Sequence, residues 1–273
     1  MYRIFTRRAM RWIKLITIIY LLIGIAFYFL QDYVLFHPVS LKKDHKYNFK
    51  EPHKDINIAV NDESNLNIIQ FLAAGTACRG VILYFHGNKK NISWYSKYTP
   101  YFTKQGYEVW MIDYPGFGKS TGKFSEKTLY EWAGHLYRFA NTRFSADRII
   151  IYGKSMGTGI AAQLASKQPC KRLILETPYY DFPSVVNRYM PVYPVYSMLH
   201  YEMPTHRFIQ RVRAPVTIFQ GTKDCVITHR NASRLKKFLK QGDEFVTIKG
   251  GSHNNLFSYK ETTQKLDSLL NIY

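Results

Sequence analysis

The sequence is poor in cysteine and in carboxylates. Its three cysteines, Cys78, Cys170 and Cys225, stand far apart with no CxxC pair, which excludes the spacing of a structural zinc site. An odd count cannot pair fully within one chain, so free thiols are expected and the redox compartment stays open. Only 19 Asp and Glu face 38 Lys and Arg, a net charge of +19. Such a surface attracts anions, either nucleic acid or anionic lipid. No zinc-finger spacing and no RNA-binding signature accompanies the charge, so nucleic acid is not an expected partner. Fixed-period repeats and long low-complexity tracts are missing as well. A hydrophobic content of 46% is too high for a disordered chain.

What the sequence does have is an apolar run near its start. Leu15 to Leu30 reads LITIIYLLIGIAFYFL without a charge. With Trp12 and Ile13 it makes roughly 18 residues, just enough to span a bilayer. Trp12 and Tyr33 flank it as interfacial aromatics do. The run ends Phe27-Tyr-Phe-Leu-Gln31, a poor signal-peptidase site, and it lacks the amphipathic pattern of a core helix. An uncleaved signal-anchor over 15–31 is therefore expected, after a basic tail at 1–14. Arg3, Arg7, Arg8, Arg11 and Lys14 precede the span, while Lys42, Lys43, Lys46 and Lys50 follow it more distantly. The denser cluster favours a cytoplasmic N-terminus and a single-pass protein whose catalytic domain is periplasmic or lumenal.

A linker is expected at 32–55, then one domain over 56–273, long enough for a substantial core. Ile56–Val60 and Leu66–Leu72 suit an antiparallel start. Short apolar runs at 80–85, 107–112, 148–152, 173–175, 214–219 and 244–248 suit buried strands. Helices are expected between them at 92–104, 128–144 and 156–167, and at the end over 253–270. The alternation predicts an α/β fold, a mostly parallel sheet with helices on both faces. Residues 179–213 interrupt the rhythm with Tyr, Met and Pro, as a small helical cap over a site would.

Gly153-Lys-Ser-Met-Gly157 is the motif that carries chemistry. A β-rich run leads into it and a helix-compatible run leaves it, so Ser155 is the candidate nucleophile on a sharp strand-to-helix turn. The Met156 amide stands at a helix N-terminus, where unpaired donors suit an oxyanion. A serine hydroxyl needs a base and an orienting acid, in the chain order Ser, Asp, His for this architecture. Asp224 follows the strand at 215–219, and His253 follows the strand at 245–248. His86-Gly87-Asn88 ends an early strand and can aim the Asn88 amide at the same oxyanion. His86 precedes the serine, so it is assigned to the loop rather than to catalysis. Asp113-Tyr-Pro-Gly-Phe-Gly-Lys-Ser120 is not a phosphate loop, because Asp113 stands where the first glycine is required. It fails the dinucleotide pattern too, with Thr121 in place of glycine.

These pieces together resemble the α/β-hydrolases, in particular a membrane-associated group related to bud-emergence protein 46 and to alpha/beta hydrolase domain-containing proteins 13 and 17. The matching motifs are Tyr84-Phe-His-Gly-Asn88, Asp113–Ser120, Gly153–Gly157, Gly221-Thr-Lys-Asp224 and Gly251-Ser-His253, covering about residues 65 to 270. The resemblance implies a Ser155, Asp224 and His253 triad, backbone donors from Asn88 and Met156, and neither metal nor organic cofactor. Thr228 departs from a proline that such proteins often carry nearby. The expected function is hydrolysis of an ester or thioester by a membrane-anchored serine hydrolase, with an aminopeptidase or amidase, or a catalytically silent binding protein, as alternatives. The aromatic cap and the anchor favour a small-molecule or lipid-like acyl substrate, handled by a monomer.

Overall fold

The computed structural model describes residues 2–75 and 77–271. The chain opens with one long helix, α1 (Tyr2–Leu35), longer than the anchor expected at 15–31. A two-residue strand β1 (His37–Pro38) follows, then β2 (His53–Ala59), β3 (Asn65–Phe71), β4 (Gly80–Phe85) and the two-residue β5 (Lys89–Lys90). Helices α2 (Ile92–Tyr95) and α3 (Thr99–Thr103) lead to β6 (Tyr107–Ile112), α4 (Glu126–Asn141), β7 (Ile149–Lys154), α5 (Gly157–Lys167) and β8 (Arg172–Glu176). Three short helices, α6 (Phe182–Val186), α7 (Val195–Met198) and α8 (Thr205–Ile209), precede β9 (Val216–Gly221). Helix α9 (His229–Ser233), β10 (Glu244–Ile248) and α10 (Lys260–Asn271) complete the order.

Eight strands form one sheet in the order β2-β3-β6-β4-β7-β8-β9-β10. Only β3 runs against its neighbours, so the sheet is mostly parallel, as expected. Its central strands are buried on both faces, and alternate residues feed two cores. Val81, Leu83, Ile149, Ile151, Leu173 and Leu175 face one core, covered by α4 and α5. Ile82, Tyr84, Ile150, Tyr152 and Ile174 face the other, covered by α2, α3 and α10. Helix α4 shows how the sequence commits a layer. Ser125 caps it by accepting from the Thr128 amide, and Leu129, Trp132, Leu136 and Ala140 form its buried stripe.

Two expected helices differ from the structure. The segment 92–104 is broken into α2, a 3-10 turn and α3, where Pro100 takes an N-terminal position and starts a new helix. The last helix starts at Lys260 rather than at residue 253. The Ser252 amide donates to Asn255 Oδ1 at 2.7 Å, closing a turn that keeps His253 out of helical backbone. Asn91 and Asn231 head sequences of the N-glycosylation pattern, yet both amides are used internally. Asn91 Nδ2 donates to the Val39 carbonyl at 2.9 Å, and Asn231 Nδ2 donates to Ser184 Oγ at 2.8 Å.

Candidate active site

Strand β7 delivers Ser155 at its C-terminal end, where open α/β sheets place their ligands. Ser155 has φ of 52°, a left-handed backbone that a non-glycine residue holds only under constraint. Two glycines make that turn possible. A Cβ on Gly153 would lie 2.5 Å from the Gly157 carbonyl oxygen. A Cβ on Gly157 would overlap the Phe85 carbonyl and lie 2.7 Å from that of His86. The Ser155 amide donates to Glu176 O at 2.9 Å, tying the turn to β8.

Asp224 follows β9 and His253 follows β10. His253 reaches across the strand ends to Ser155, and Asp224 reaches His253. Asp224 is 4% exposed, and its Oδ1 accepts the amides of Val226 and Ile227, each at 2.9 Å. Thr228 caps α9 by accepting from the Asn231 amide, so the loop closes without the proline. Asp224 Oδ2 lies 2.8 Å from His253 Nδ1. A carboxylate only accepts, so Nδ1 carries the proton and Nε2 is left with a lone pair. Ser155 Oγ lies 2.9 Å from that Nε2 and donates to it. The result is a continuous Ser155–His253–Asp224 hydrogen-bonded chain with a polarised hydroxyl at its open end.

Asn88 and Met156 line the same cavity as Ser155 and His253. Met156 is the N-cap of α5, where helix amides lack intrahelical partners. Its carbonyl accepts the Tyr179 hydroxyl at 3.0 Å. The Asn88 side chain donates to the Leu35 carbonyl at 2.6 Å, so the His-Gly-Asn loop is fastened to the end of α1. His86 lies fully buried beneath that loop. Its Nδ1 is 2.8 Å from the Gly87 carbonyl and its Nε2 is 3.3 Å from Asp113 Oδ1.

A buried ion pair beside the serine is not announced by the motif. Lys154 and Glu176 are each 1% exposed, and Lys154 Nζ contacts Glu176 Oε1 directly. Tyr152 donates to the other Glu176 oxygen at 2.8 Å. Burial, and then the charge on Glu176, hold the Tyr152 hydroxyl far above its usual pKa, so it remains a donor. Lys154 Nζ also donates to the His253 carbonyl at 3.3 Å. The group thus joins β7, β8 and the His253 loop. Its signal in the sequence is a carboxylate closing the apolar run Leu173-Ile-Leu175.

The cavity above Ser155 has a volume of about 630 Å³, within the range of small-molecule sites. Trp94, Tyr95, Phe182 and Val186 supply much of its wall, and Phe27, Val34 and Leu35 of α1 supply another part. Among the described lining residues none is acidic. Glu202 lies elsewhere, exposed and 3.9 Å from Arg207.

Comparison with known proteins places the chain. Residues 76–194 match the hydrolase family described as serine aminopeptidase, S33. The chain is 27% identical over 208 residues to alpha/beta hydrolase domain-containing protein 17C of Xenopus tropicalis, covering 73% of this chain and 64% of that protein. The Homo sapiens 17C protein matches at the same identity, with 60% of its length covered. The chain therefore spans less than two thirds of these relatives. Protein 17B of Xenopus laevis is 26% identical over 204 residues, covering 72% of this chain and 68% of that protein. Among solved structures, an esterase of Pyrococcus furiosus superposes with a TM-score of 0.67 at 17% identity, covering 86% of this chain and 98% of its own. The 2,6-dihydroxy-pseudo-oxynicotine hydrolase superposes with a TM-score of 0.65 at 15% identity, over 82% of this chain and 69% of its own. The sheet order, the turn at Ser155 and these likenesses agree: the chain has the α/β-hydrolase fold and is similar to the alpha/beta hydrolase domain-containing 17 proteins.

Proposed function

We propose that the chain is a membrane-anchored serine hydrolase that cleaves an ester or thioester through an acyl-enzyme. The observation that carries this reading is the Ser155–His253–Asp224 chain at the floor of an apolar cavity. His253 Nε2 takes the Ser155 proton as Oγ attacks the acyl carbon. Asp224 holds the tautomer and stabilises the imidazolium. The amides of Met156 and Asn88 receive the oxyanion of the tetrahedral intermediate. His253 then gives its proton to the leaving oxygen or sulfur, and water repeats the cycle to release the acid. The motifs and the fold support an acyl-transfer site. The apolar lining supports an acyl group over a charged amine, which counts against an aminopeptidase.

The anchor is proposed on α1. Its stretch Thr6–Leu35 has a mean hydropathy of 2.3 in its most apolar window, enough to cross a hydrocarbon core of about 30 Å. The basic N-terminal end is proposed to stay cytoplasmic, with the catalytic domain on the other side. Activity on p-nitrophenyl esters of graded chain length, beside peptide amides, tests the function. Ester turnover that disappears in Ser155→Ala is expected, by roughly 10⁴- to 10⁶-fold. Turnover of amides alone would shift the reading to an amidase. Well-folded protein inert to both substrates and to a fluorophosphonate would leave only a binding role.

A further inference from the structure

Helix α1 does not stand free of the domain. Its C-terminal half lies along the segment 189–201, and the partners recur every three or four residues. Tyr20 stacks on Tyr193 with ring centroids 4.5 Å apart. The Tyr20 hydroxyl donates to the Val192 carbonyl, and the Tyr193 hydroxyl donates to the Tyr20 carbonyl, each at 3.0 Å. Gly24 admits the Tyr193 ring, which a Cβ there would meet at 3.1 Å. Gln31, 1% exposed, accepts from the His200 amide at 2.8 Å and donates to the Met198 carbonyl at 3.2 Å. Tyr201 donates to Asp32 at 2.7 Å.

These contacts create a geometric conflict with a domain held clear of the bilayer. The apolar run of α1 ends at Leu30, and the cap grips it from Tyr20 onward. If that run lies in hydrocarbon, the cap edge lies beside it. The surface of that edge fits the position: Tyr189, Val192 and Tyr196 are 61%, 71% and 59% exposed, apolar or interfacial side chains that water does not favour.

The cavity follows the same axis. Phe27, Val34 and Leu35 line it from α1, a wall about 12 Å long at the helical rise of 1.5 Å per residue. Its exposed lining residues are of two kinds, an apolar lip and a polar remainder that includes His37 and Asn254. Val34, Tyr189 and Val226 make the apolar lip, and of the remainder Lys89 and Lys90 are cationic and sit past the end of α1, paired with β1.

We propose that the cap edge at 189–198 is sunk in the membrane beside α1, and that the cavity opens sideways into the hydrocarbon to admit the acyl chain of a bilayer lipid ester. The occupant is one long acyl tail, lying along Phe27 and Val34 with its carbonyl at Ser155. The substrate half of this proposal rests on the serine-hydrolase reading; the embedding does not. Each methylene held along the wall raises kcat/KM by about three- to fourfold until the wall ends.

The test uses the full chain in phosphatidylcholine vesicles. An environment-sensitive fluorophore is placed on Val192→Cys in a Cys225→Ser background, with Phe29→Cys as the in-membrane reference and Lys127→Cys as the distant one. Brominated lipid is expected to quench the label at 192 at least twofold and to leave that at 127 unchanged. Quenching at 29 without quenching at 192 overturns the embedding. In parallel, the ratio of kcat/KM for a vesicle-borne palmitoyl ester to that for the soluble butyryl ester is measured. Val34→Trp, which fills the apolar lip, is expected to lower the ratio at least tenfold, and Phe29→Trp to leave it within twofold. An active Val34→Trp with an unchanged ratio overturns the lateral route. Phe27→Ala gives the same reading from a shorter wall if the tryptophan variant does not fold. A wild-type chain inert to both esters and to a fluorophosphonate overturns the hydrolase reading itself, while the quenching result still decides the embedding.

Discussion

Lys154→Met is the perturbation whose consequences the structure constrains most tightly. The methionine fills similar volume but removes the only cation in contact with Glu176 among the described residues. The carboxylate stays 1% exposed, with Tyr152 as its remaining side-chain donor. Removing one partner of a buried pair costs about 3–5 kcal/mol, because the other charge is left uncompensated. With a urea dependence of about 3 kcal/mol/M, the unfolding midpoint falls by about 1–1.7 M. The loss of the bond to the His253 carbonyl adds a second effect. An imidazole displaced by about 1 Å lowers kcat by roughly 10²-fold, with a smaller change in KM. The double variant Lys154→Met/Glu176→Leu removes both charges and is expected to be more stable than Lys154→Met alone, though still short of wild type because Tyr152 loses its acceptor. Urea unfolding followed by circular dichroism, with ester kinetics on the same samples, reads both effects. A Lys154→Met midpoint equal to wild type, or a double variant less stable than the single one, would refute the reasoning.

Three further outcomes follow from the same geometry. Gly157→Ala forces a Cβ into the Phe85 carbonyl, and because backbone cannot yield as a side chain does, a loss of about 3 kcal/mol or more is expected in thermal or urea unfolding. Asp224→Asn keeps the shape of the loop but lets the amide dictate the wrong imidazole tautomer, so kcat is expected to fall by roughly 10⁴-fold with little change in stability. Burial pushes the Cys170 thiol up to about 12, which keeps it protonated and unreactive at pH 8, whereas Cys225 is exposed. Alkylation of native protein at that pH, mapped by mass spectrometry, is expected to modify Cys225 and spare Cys170 until the chain unfolds.

Much of the fold was legible because its strands are written as short apolar runs between turn signals. The β7–Ser155–α5 turn could be read from its glycines, since close backbone approach permits no other residue at Gly157. Asp224 and His253 are legible as candidates from their order and their place after strands, and the structure places Asp224 on His253 and His253 on Ser155. The Lys154–Glu176 pair is not legible in the sequence. A lysine inside a Gly-x-Ser-x-Gly motif reads as a surface charge, and its partner becomes visible only when β7 and β8 pair. The grip of the cap on α1 was hidden for a similar reason. An apolar run predicts a span, but Tyr20, Gly24 and Gln31 acquire meaning only against Tyr193, Met198 and His200. The late start of α10 came from a side-chain turn at Ser252 and Asn255 that local propensity does not reveal.

The most direct test of the central claim is the position of covalent capture. Folded full-length protein is treated with a fluorophosphonate and digested, and the adduct is mapped by mass spectrometry. The account predicts one modification, on Ser155, lost in Ser155→Ala and much slowed when His253 is replaced by alanine. An adduct on another residue, or none on wild-type protein of verified fold, would contradict it.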